Sequence, residues 1–435
     1  MKSQSHPLAI LSGRRTPFCR AWGDLAAAHP VSLGVAAVEA ALQQAQLTPD
    51  AIDEVVMGNV SGPADSANIA RVISLNAGIP HDRIAHTVNR NCASGMESLL
   101  TGWQILNERR AKTVVAGGTE SMSSIPLLFR SSAADLLTKL SRQKTLLGRL
   151  KVLSRLRPKH FKPVPGVMLG LTDPTCGLNM GQTAENLARD FAISRADQDG
   201  FALASHVAAS DARERCFLSG EVAAFDVGSG GDVSLIEKDG VPRSNQTLAA
   251  LEKLRPIFAK DEAGTVTAGN SCPLTDGAAA VVLKRAADVD ITSQTPLGYV
   301  TSYAIAGCDP TRMGLGPVYA VARLLEETGL SLSHFDLFEI NEAFAAQVLA
   351  CLAAMESDRF AQQELNRSDA LGEIPRDRLN VNGGAIALGH PVGTTGTRMV
   401  ITLLRALRER GLQRGLATLC VGGGQGVAMV VETAI

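Results

Sequence analysis

The 435-residue chain sets 42 Lys and Arg against 43 Asp and Glu, a formal charge of −1, and is 45% hydrophobic with only 2 Trp, 3 Tyr and 12 Phe. A balance so close to zero gives the whole molecule no field to steer nucleic acid, and ordinary charge content excludes extensive disorder. The 41 glycines, above the usual ~7% of residues, point to tight turns and close backbone approaches.

The opening segment has one short apolar run, Pro7 to Leu11, and nowhere does a stretch of 18 apolar residues follow. The expectation is a cytoplasmic chain with no signal peptide and no transmembrane segment. Residues 35–56 then match residues 318–339 without gaps: Val35, Ala37, Val38, Leu42 and Leu47 face Val318, Ala320, Val321, Leu325 and Leu330. In both copies the apolar spacing predicts a helix followed by a short strand. Residues 112–119 (KTVVAGGT) and 417–424 (ATLCVGGG) pair as a strand ending in a glycine turn, at an offset of 305. Before them run two amphipathic helices, one with Met96, Leu99, Leu100, Trp103 and Leu106 on a face, the other with Met399, Val400, Leu403, Leu404 and Leu407. The chain is thus expected to be an α/β protein built from two copies of one unit, with two sheets packed back to back.

Residues 126–254 differ in character and are expected as an insertion into the first copy. The domain boundaries expected are 1–125 plus 255–293 for the first half, 126–254 for the insertion and 294–435 for the second half. From Lys139 to Lys162 the insertion holds nine Lys and Arg and no Asp or Glu, with leucines near helical period. A solvated basic face is the plain explanation; an anion site for a phosphate-bearing substrate, or a surface for a membrane or partner chain, is the sharper one. The eight cysteines include no CxxC pair, so neither a metal site nor a disulfide framework is expected.

Three segments carry candidate chemistry. In NRNCASG, Cys92 stands where an extended segment enters a helix, whose N-terminal dipole and free amides favour thiolate. In NVNGGAIALGHPVGTTG, His390 holds the matching junction of the second copy, where a histidine satisfying a local backbone group is the plainer reading. In CVGGGQG, Cys420 ends a strand before glycines that allow close approach, or that merely turn the chain. Equivalent junctions of two packed copies can converge on one pocket, giving a Cys nucleophile, a His base and a second Cys as proton donor. Asn341 in EINEAFAAQ either caps a helix or holds a water.

The ordered set CASG, GGTESMS, MGQTAEN, GTVTAGNS, LTDGAA, NEAFA, GHPVGTTG and CVGGGQG resembles the thiolase family over nearly the whole chain. The resemblance implies a duplicated five-layered αβαβα fold with an inserted loop domain for coenzyme A. It implies 3-ketoacyl-CoA thiolysis through a Cys92 acyl-enzyme, with His390 as base and Cys420 as proton donor. The implied oxyanion donors are His390 with a water on Asn341, and the amides of Cys92 and Gly422. Met180 is implied to line the acyl pocket, although a core methionine is the plainer reading, and Ser271 and Cys272 to lie by the coenzyme. Lys151, Arg155 and Arg157 are expected to read its phosphates.

The insertion looks like the long loop of bacterial trifunctional β subunits, which pair with a hydratase/dehydrogenase α subunit. The resemblance therefore implies acyl-CoA and coenzyme A as ligands, no permanent cofactor, no metal, and at least a homodimer, up to a dimer of dimers. It leaves peripheral membrane contact open and implies no nucleic acid partner. The alternatives are a biosynthetic acetyl-CoA acetyltransferase making acetoacetyl-CoA, a ketosynthase-type condensing enzyme, and a non-catalytic acyl-CoA or lipid carrier. Asn179 and Cys272 depart from the family pattern, which usually has His and Ser or Thr there.

Overall fold

The computed structural model describes residues 6–228, 232–259 and 264–435. The first half contributes β1 (Leu8–Arg15), α1 (Pro30–Ala45), β2 (Glu54–Gly58), β3 (Ile84–Val88), α2 (Ser94–Asn107) and β4 (Val114–Ser121). The insertion carries α3 (Ser131–Ser141), α4 (Leu146–Leu153), α5 (Met180–Asp190) and α6 (Arg195–Glu214), and β5 (Thr275–Arg285) returns to the first half. The second half runs β6 (Gly298–Gly307), α7 (Gly316–Thr328), β7 (Leu337–Ile340), α8 (Ala345–Met355), α9 (Thr395–Glu409), β8 (Arg414–Val421) and β9 (Gln425–Glu432).

The strand order is β7-β8-β9-β6-β1-β5-β4-β2-β3 in one ten-stranded sheet, with Cys19–Arg20 paired onto β5. The two halves share an edge, because Leu8–Ile10 of β1 pairs antiparallel with Gly298–Val300 of β6. This corrects the expectation of two separate sheets back to back. The sheet's two halves enclose α2 and α9 instead, and a single apolar cluster joins Met96, Leu99, Met399 and Leu403 to Val114 and Val281 on one side and Leu419 and Met429 on the other. Separate clusters bury α1 against the outer face of the first half and α7 with α8 against that of the second. Helix, sheet, helix, sheet, helix is the resulting layer order.

Strand pairing also corrects the second repeat match. Glu54 pairs with Val114 and its counterpart Leu337 with Gly415, so the offset there is 301 (114 to 415) and not 305. Gly117 and Gly118 therefore lie inside β4, where the sequence suggested a turn. Their glycine identity has another cause: a Cβ on Gly118 would sit 2.0 Å from the Gly393 carbonyl oxygen. The same offset makes Gly95 and Gly396 equivalent. A Cβ on Gly95 would meet the Thr397 amide nitrogen at 2.7 Å and one on Gly396 the Met96 nitrogen at 2.5 Å. The central helices can start from one point because both are bare there.

The insertion is anchored on β1 by a buried ion cluster. Arg15, fully enclosed, donates to Glu221 at 2.7 Å and to both oxygens of Asp239 at 2.6 and 2.8 Å. Removing one member of such a cluster strands a buried charge and costs about 3–5 kcal/mol. The basic stretch does not continue as one helix: α3 and α4 are short, and a 3₁₀ turn at Pro158–Phe161 follows. Leu146 and Leu147 are 75% and 83% exposed, so α4 turns apolar as well as basic groups to solvent.

Candidate active site

Cys92 lies two residues before α2, after Asn91, whose φ of 43° bends the incoming chain. The backbone amides of Gly422 and of Cys92 itself both act on its Sγ in favour of thiolate. The helix end alone would favour thiolate, but burial outweighs both amides and, with Glu120 nearby, pushes the thiol above its ordinary value. The Cys92 thiol is therefore protonated at rest, and using it as a nucleophile would require a base.

The segment of His390 packs on the start of α2. A Cβ on Gly58 would fall 2.6 Å from Ser94 and 2.9 Å from the Gly393 oxygen, so both loops close over the end of β2. The His390 ring is buried, with Nδ1 bonded to the Thr395 hydroxyl and Nε2 without a partner among the described residues. Burial, with Arg398 second, lowers its pKa to about 3 and keeps the imidazole neutral. This is a deprotonated acceptor in a site whose thiol holds its proton.

Cys420 is buried near the end of β8, and burial with the neighbouring thiols Cys92, Cys351, Cys272 and Cys308 raises its pKa well above the ordinary value. Cys272, pushed up to about 12, is raised by burial and then by Cys92, so Cys92, Cys272 and Cys420 form one coupled group. Ser271 bridges to Phe344, and the Cys272 amide donates to Ala343 at 3.1 Å. That contact sets both beside the Asn341 loop. Asn341 does not cap α8, which begins at Ala345; its side chain is buried and both amide atoms lack a partner among the described residues. An orphaned buried amide needs a water or a ligand atom.

Met180, the first residue of α5, packs in the apolar cluster of Cys420 and Phe344, and its Sδ lies 3.4 Å from where a Cβ of Gly422 would be. Asn179 accepts from the Gln182 amide and Gln182 from that of Asn179, both at 2.9 Å, so the residue that departs from the family pattern caps α5. Lys151, Arg155 and Arg157 lie in or just after α4, where Arg157 bonds the Ser154 and Leu156 carbonyls. Among the described residues they make no bond to the Cys92 group.

Several supporting residues escaped the sequence argument. Asn91 donates to the Gly422 carbonyl at 2.8 Å and Arg90 to Gln425 Oε1 at 2.9 Å, tying the two halves together beside Cys92. Glu120, fully buried, accepts from the amides of Val60, Ser61 and Gly393 at 3.0 to 3.1 Å and from Asn59 Nδ2 at 3.2 Å. Burial first and then the nearby Arg243 lower Arg20, and burial followed by Arg243 and Arg20 lowers His206. Asn91 and Glu120 sit inside motifs already singled out; Arg20, Arg243 and His206 are far apart in sequence and meet only through folding.

A thiolase N-terminal domain model matches residues 8–287 and a thiolase C-terminal domain model matches residues 294–433. The chain is 40% identical over 430 residues to proteins named 3-ketoacyl-CoA thiolase from Photorhabdus laumondii and Klebsiella pneumoniae, covering 99% of this chain and 97% of each of those. Among solved structures, a Bacillus anthracis acetyl-CoA acetyltransferase superposes with a TM-score of 0.85 at 35% identity, over 99% of this chain and 100% of that one. Human mitochondrial 3-ketoacyl-CoA thiolase superposes with a TM-score of 0.84 at 36% identity, over 99% of each chain, and its complex with CoA gives 0.83 at 35%. With both domain models matched in order and relatives aligned almost end to end, the chain belongs to the thiolase family.

Proposed function

We propose that the chain is a 3-ketoacyl-CoA thiolase, an acetyl-CoA C-acyltransferase that splits 3-oxoacyl-CoA with coenzyme A into acetyl-CoA and a shortened acyl-CoA. The observation that carries this reading is the place of Cys92 just before α2, tied by the 2.8 Å bond from Asn91 to the Gly422 turn that follows Cys420. His390 Nε2 takes the Cys92 proton and Sγ attacks the 3-keto carbon. The C2–C3 bond breaks, its electrons pass to an acetyl-CoA enolate, and Cys420 protonates that carbanion. The thiol of a second coenzyme A then attacks the acyl-enzyme and returns a proton to Cys420, while His390 reprotonates the departing Cys92.

Two oxyanion holes serve these steps: the amides of Cys92 and Gly422 for the tetrahedral intermediates, and His390 with a water on Asn341 for the enolate. The unpartnered Asn341 amide supports the second assignment. One such donor is worth roughly 2.7–4 kcal/mol of barrier. No permanent cofactor takes part. Met180, Ser271 and Cys272 contact the acyl-pantetheine arm, and Lys151, Arg155 and Arg157 of the 126–254 insertion read phosphate.

The enzyme works in the cytoplasm in fatty acid β-oxidation. No helix among the described residues is long and apolar enough to cross a membrane. The exposed leucines and basic residues of α4 favour peripheral contact with a membrane or with a hydratase/dehydrogenase subunit. The assembly is a homodimer or a dimer of dimers, and the edge strand β3, with Ile84 exposed, is a surface suited to it. Thiolysis rates on 3-ketoacyl-CoA of four to sixteen carbons test the reading. A kcat/KM rising with chain length supports degradation; activity confined to four carbons makes the enzyme a biosynthetic acetyl-CoA acetyltransferase instead.

A further inference from the structure

The segment from Gly389 to Thr395 holds its backbone unusually firmly. The His390 amide donates to Thr275 Oγ1 at 3.2 Å and the Gly393 amide to Glu120 at 3.0 Å, so the turn is pinned on both sides of Pro391. Gly389, at φ 99°, packs so close to Thr275 that a Cβ would meet its Oγ1 at 2.5 Å. The imidazole on this turn sets Nδ1 against the Thr395 hydroxyl, and its chemistry depends on which nitrogen carries the proton.

Thr395, the first residue of α9, decides this. Its hydroxyl lies 3.0 Å from the Pro391 carbonyl oxygen, which can only accept, and 2.5 Å from His390 Nδ1. A hydroxyl has one hydrogen; given to Pro391, it leaves the Thr395 oxygen as the acceptor for an Nδ1–H. The opposite tautomer would bury an Nε2–H with no acceptor among the described residues. With the proton on Nδ1, the Nε2 lone pair is free to meet the proton of the Cys92 thiol.

We propose that Thr395 is a positioning residue that fixes the His390 tautomer by relaying its hydroxyl to the Pro391 carbonyl, so that Nε2 is the basic nitrogen toward Cys92. The neutral hydroxyl and carbonyl take the place that a carboxylate holds in a Ser-His-Asp triad. They orient the ring without adding a charge to a buried site that already contains Glu120 and three coupled thiols. The inference rests on His390 being the base for Cys92.

The test compares Thr395→Val, which keeps the shape and loses the hydroxyl, with Thr395→Ser, which keeps the hydroxyl, and with His390→Ala. Two quantities are read on the folded enzyme: the rate of Cys92 alkylation by iodoacetamide, followed by mass spectrometry, and kcat with KM for thiolysis. A general base contributes about 10²–10⁴-fold, so Thr395→Val should lower kcat by roughly ten- to a hundredfold with KM within about twofold, and slow alkylation. Thr395→Ser should recover most of both. If Thr395→Ser is as impaired as Thr395→Val, keeping the hydroxyl does not rescue the site and the inference fails. If Thr395→Val alkylates and turns over like the unmodified enzyme while His390→Ala does not, the tautomer role alone is lost. Unchanged alkylation in His390→Ala would overturn the base assignment and this inference together.

Discussion

Asn91 and Gly422 come from opposite halves of the chain and are joined by a 2.8 Å hydrogen bond, from the Asn91 side-chain amide to the Gly422 carbonyl. The Gly422 N–H in turn acts on the Cys92 sulfur in favour of thiolate. The bond thus anchors the peptide that follows Gly422, next to the one that carries the Gly422 N–H. Asn91→Gly, which suits the left-handed φ of 43° and an exposed position, should leave the fold intact and remove that side-chain donor. A hydrogen bond is worth about 0.5–1.5 kcal/mol net, so kcat should fall roughly three- to tenfold with little change in KM. An unchanged kcat would show that Gly422 is held by the turn alone.

Cys92 and Cys420 differ in surroundings and should fail differently. Cys92 meets two amides, whereas the causes acting on Cys420 are burial and other thiols. Cys92→Ala should abolish acyl-enzyme formation from an acyl-CoA donor, because no substitute nucleophile has those donors. Cys420→Ala should still be acylated at Cys92 yet lose α-proton exchange of acetyl-CoA with deuterated solvent. Intact mass and the deuterium content of recovered acetyl-CoA separate the two, and full exchange in Cys420→Ala would remove the proton-donor role.

The duplicated layout was legible because helical and strand periods are local, and so the 283-residue offset held from α1 into β2. The match at β4 slipped by four residues because Gly117 and Gly118 look like a turn. The actual causes are backbone approaches from far along the chain, by Ala279 of β5 at Gly117 and by the Gly393 loop at Gly118. Joining of the half-sheets through β1 and β6 was equally hidden, since Leu8–Ile10 reads the same whether one edge or two are paired. Cys92, Cys420 and His390 stood out as reactive types at element ends. The direction of the Cys92 shift did not, because burial is set by residues from both halves.

His206 gives a pH test of the cluster it forms with Arg20 and Arg243. Its Nδ1 accepts from the Arg243 amide at 3.3 Å, and burial first, then Arg243 and Arg20, lower its pKa from 6.5 to about 4. The unfolded chain therefore binds a proton below pH 6.5 that the folded one refuses until about pH 4. Stability from this group is present above 6.5 and is lost as pH falls toward about 4, at about 1.4 kcal/mol per pH unit. His206→Gln keeps an acceptor for Arg243 and removes the titration. Denaturant midpoints between pH 7 and 5 should fall less steeply in this variant; parallel curves would place His206 in a more open site.

The basic segment makes the last prediction. α4 and the turn after it combine Lys151, Arg155 and Arg157 with exposed Leu146, Leu147, Leu150 and Leu153. Charge attracts phosphate, and the leucines add an apolar surface that a soluble ligand's phosphate does not use. Changing all three cations to Gln should weaken coenzyme A if the segment reads its phosphates, seen as a raised KM with kcat unchanged. If instead the segment docks on a surface, binding to vesicles rich in anionic lipid should fall while KM holds. Each cation near an anionic membrane is worth about 1 kcal/mol, so the triple change should reduce vesicle binding by roughly a hundredfold at low salt. Should both KM and vesicle binding stay at the values of the unmodified enzyme, the segment is a solvated face and neither role survives.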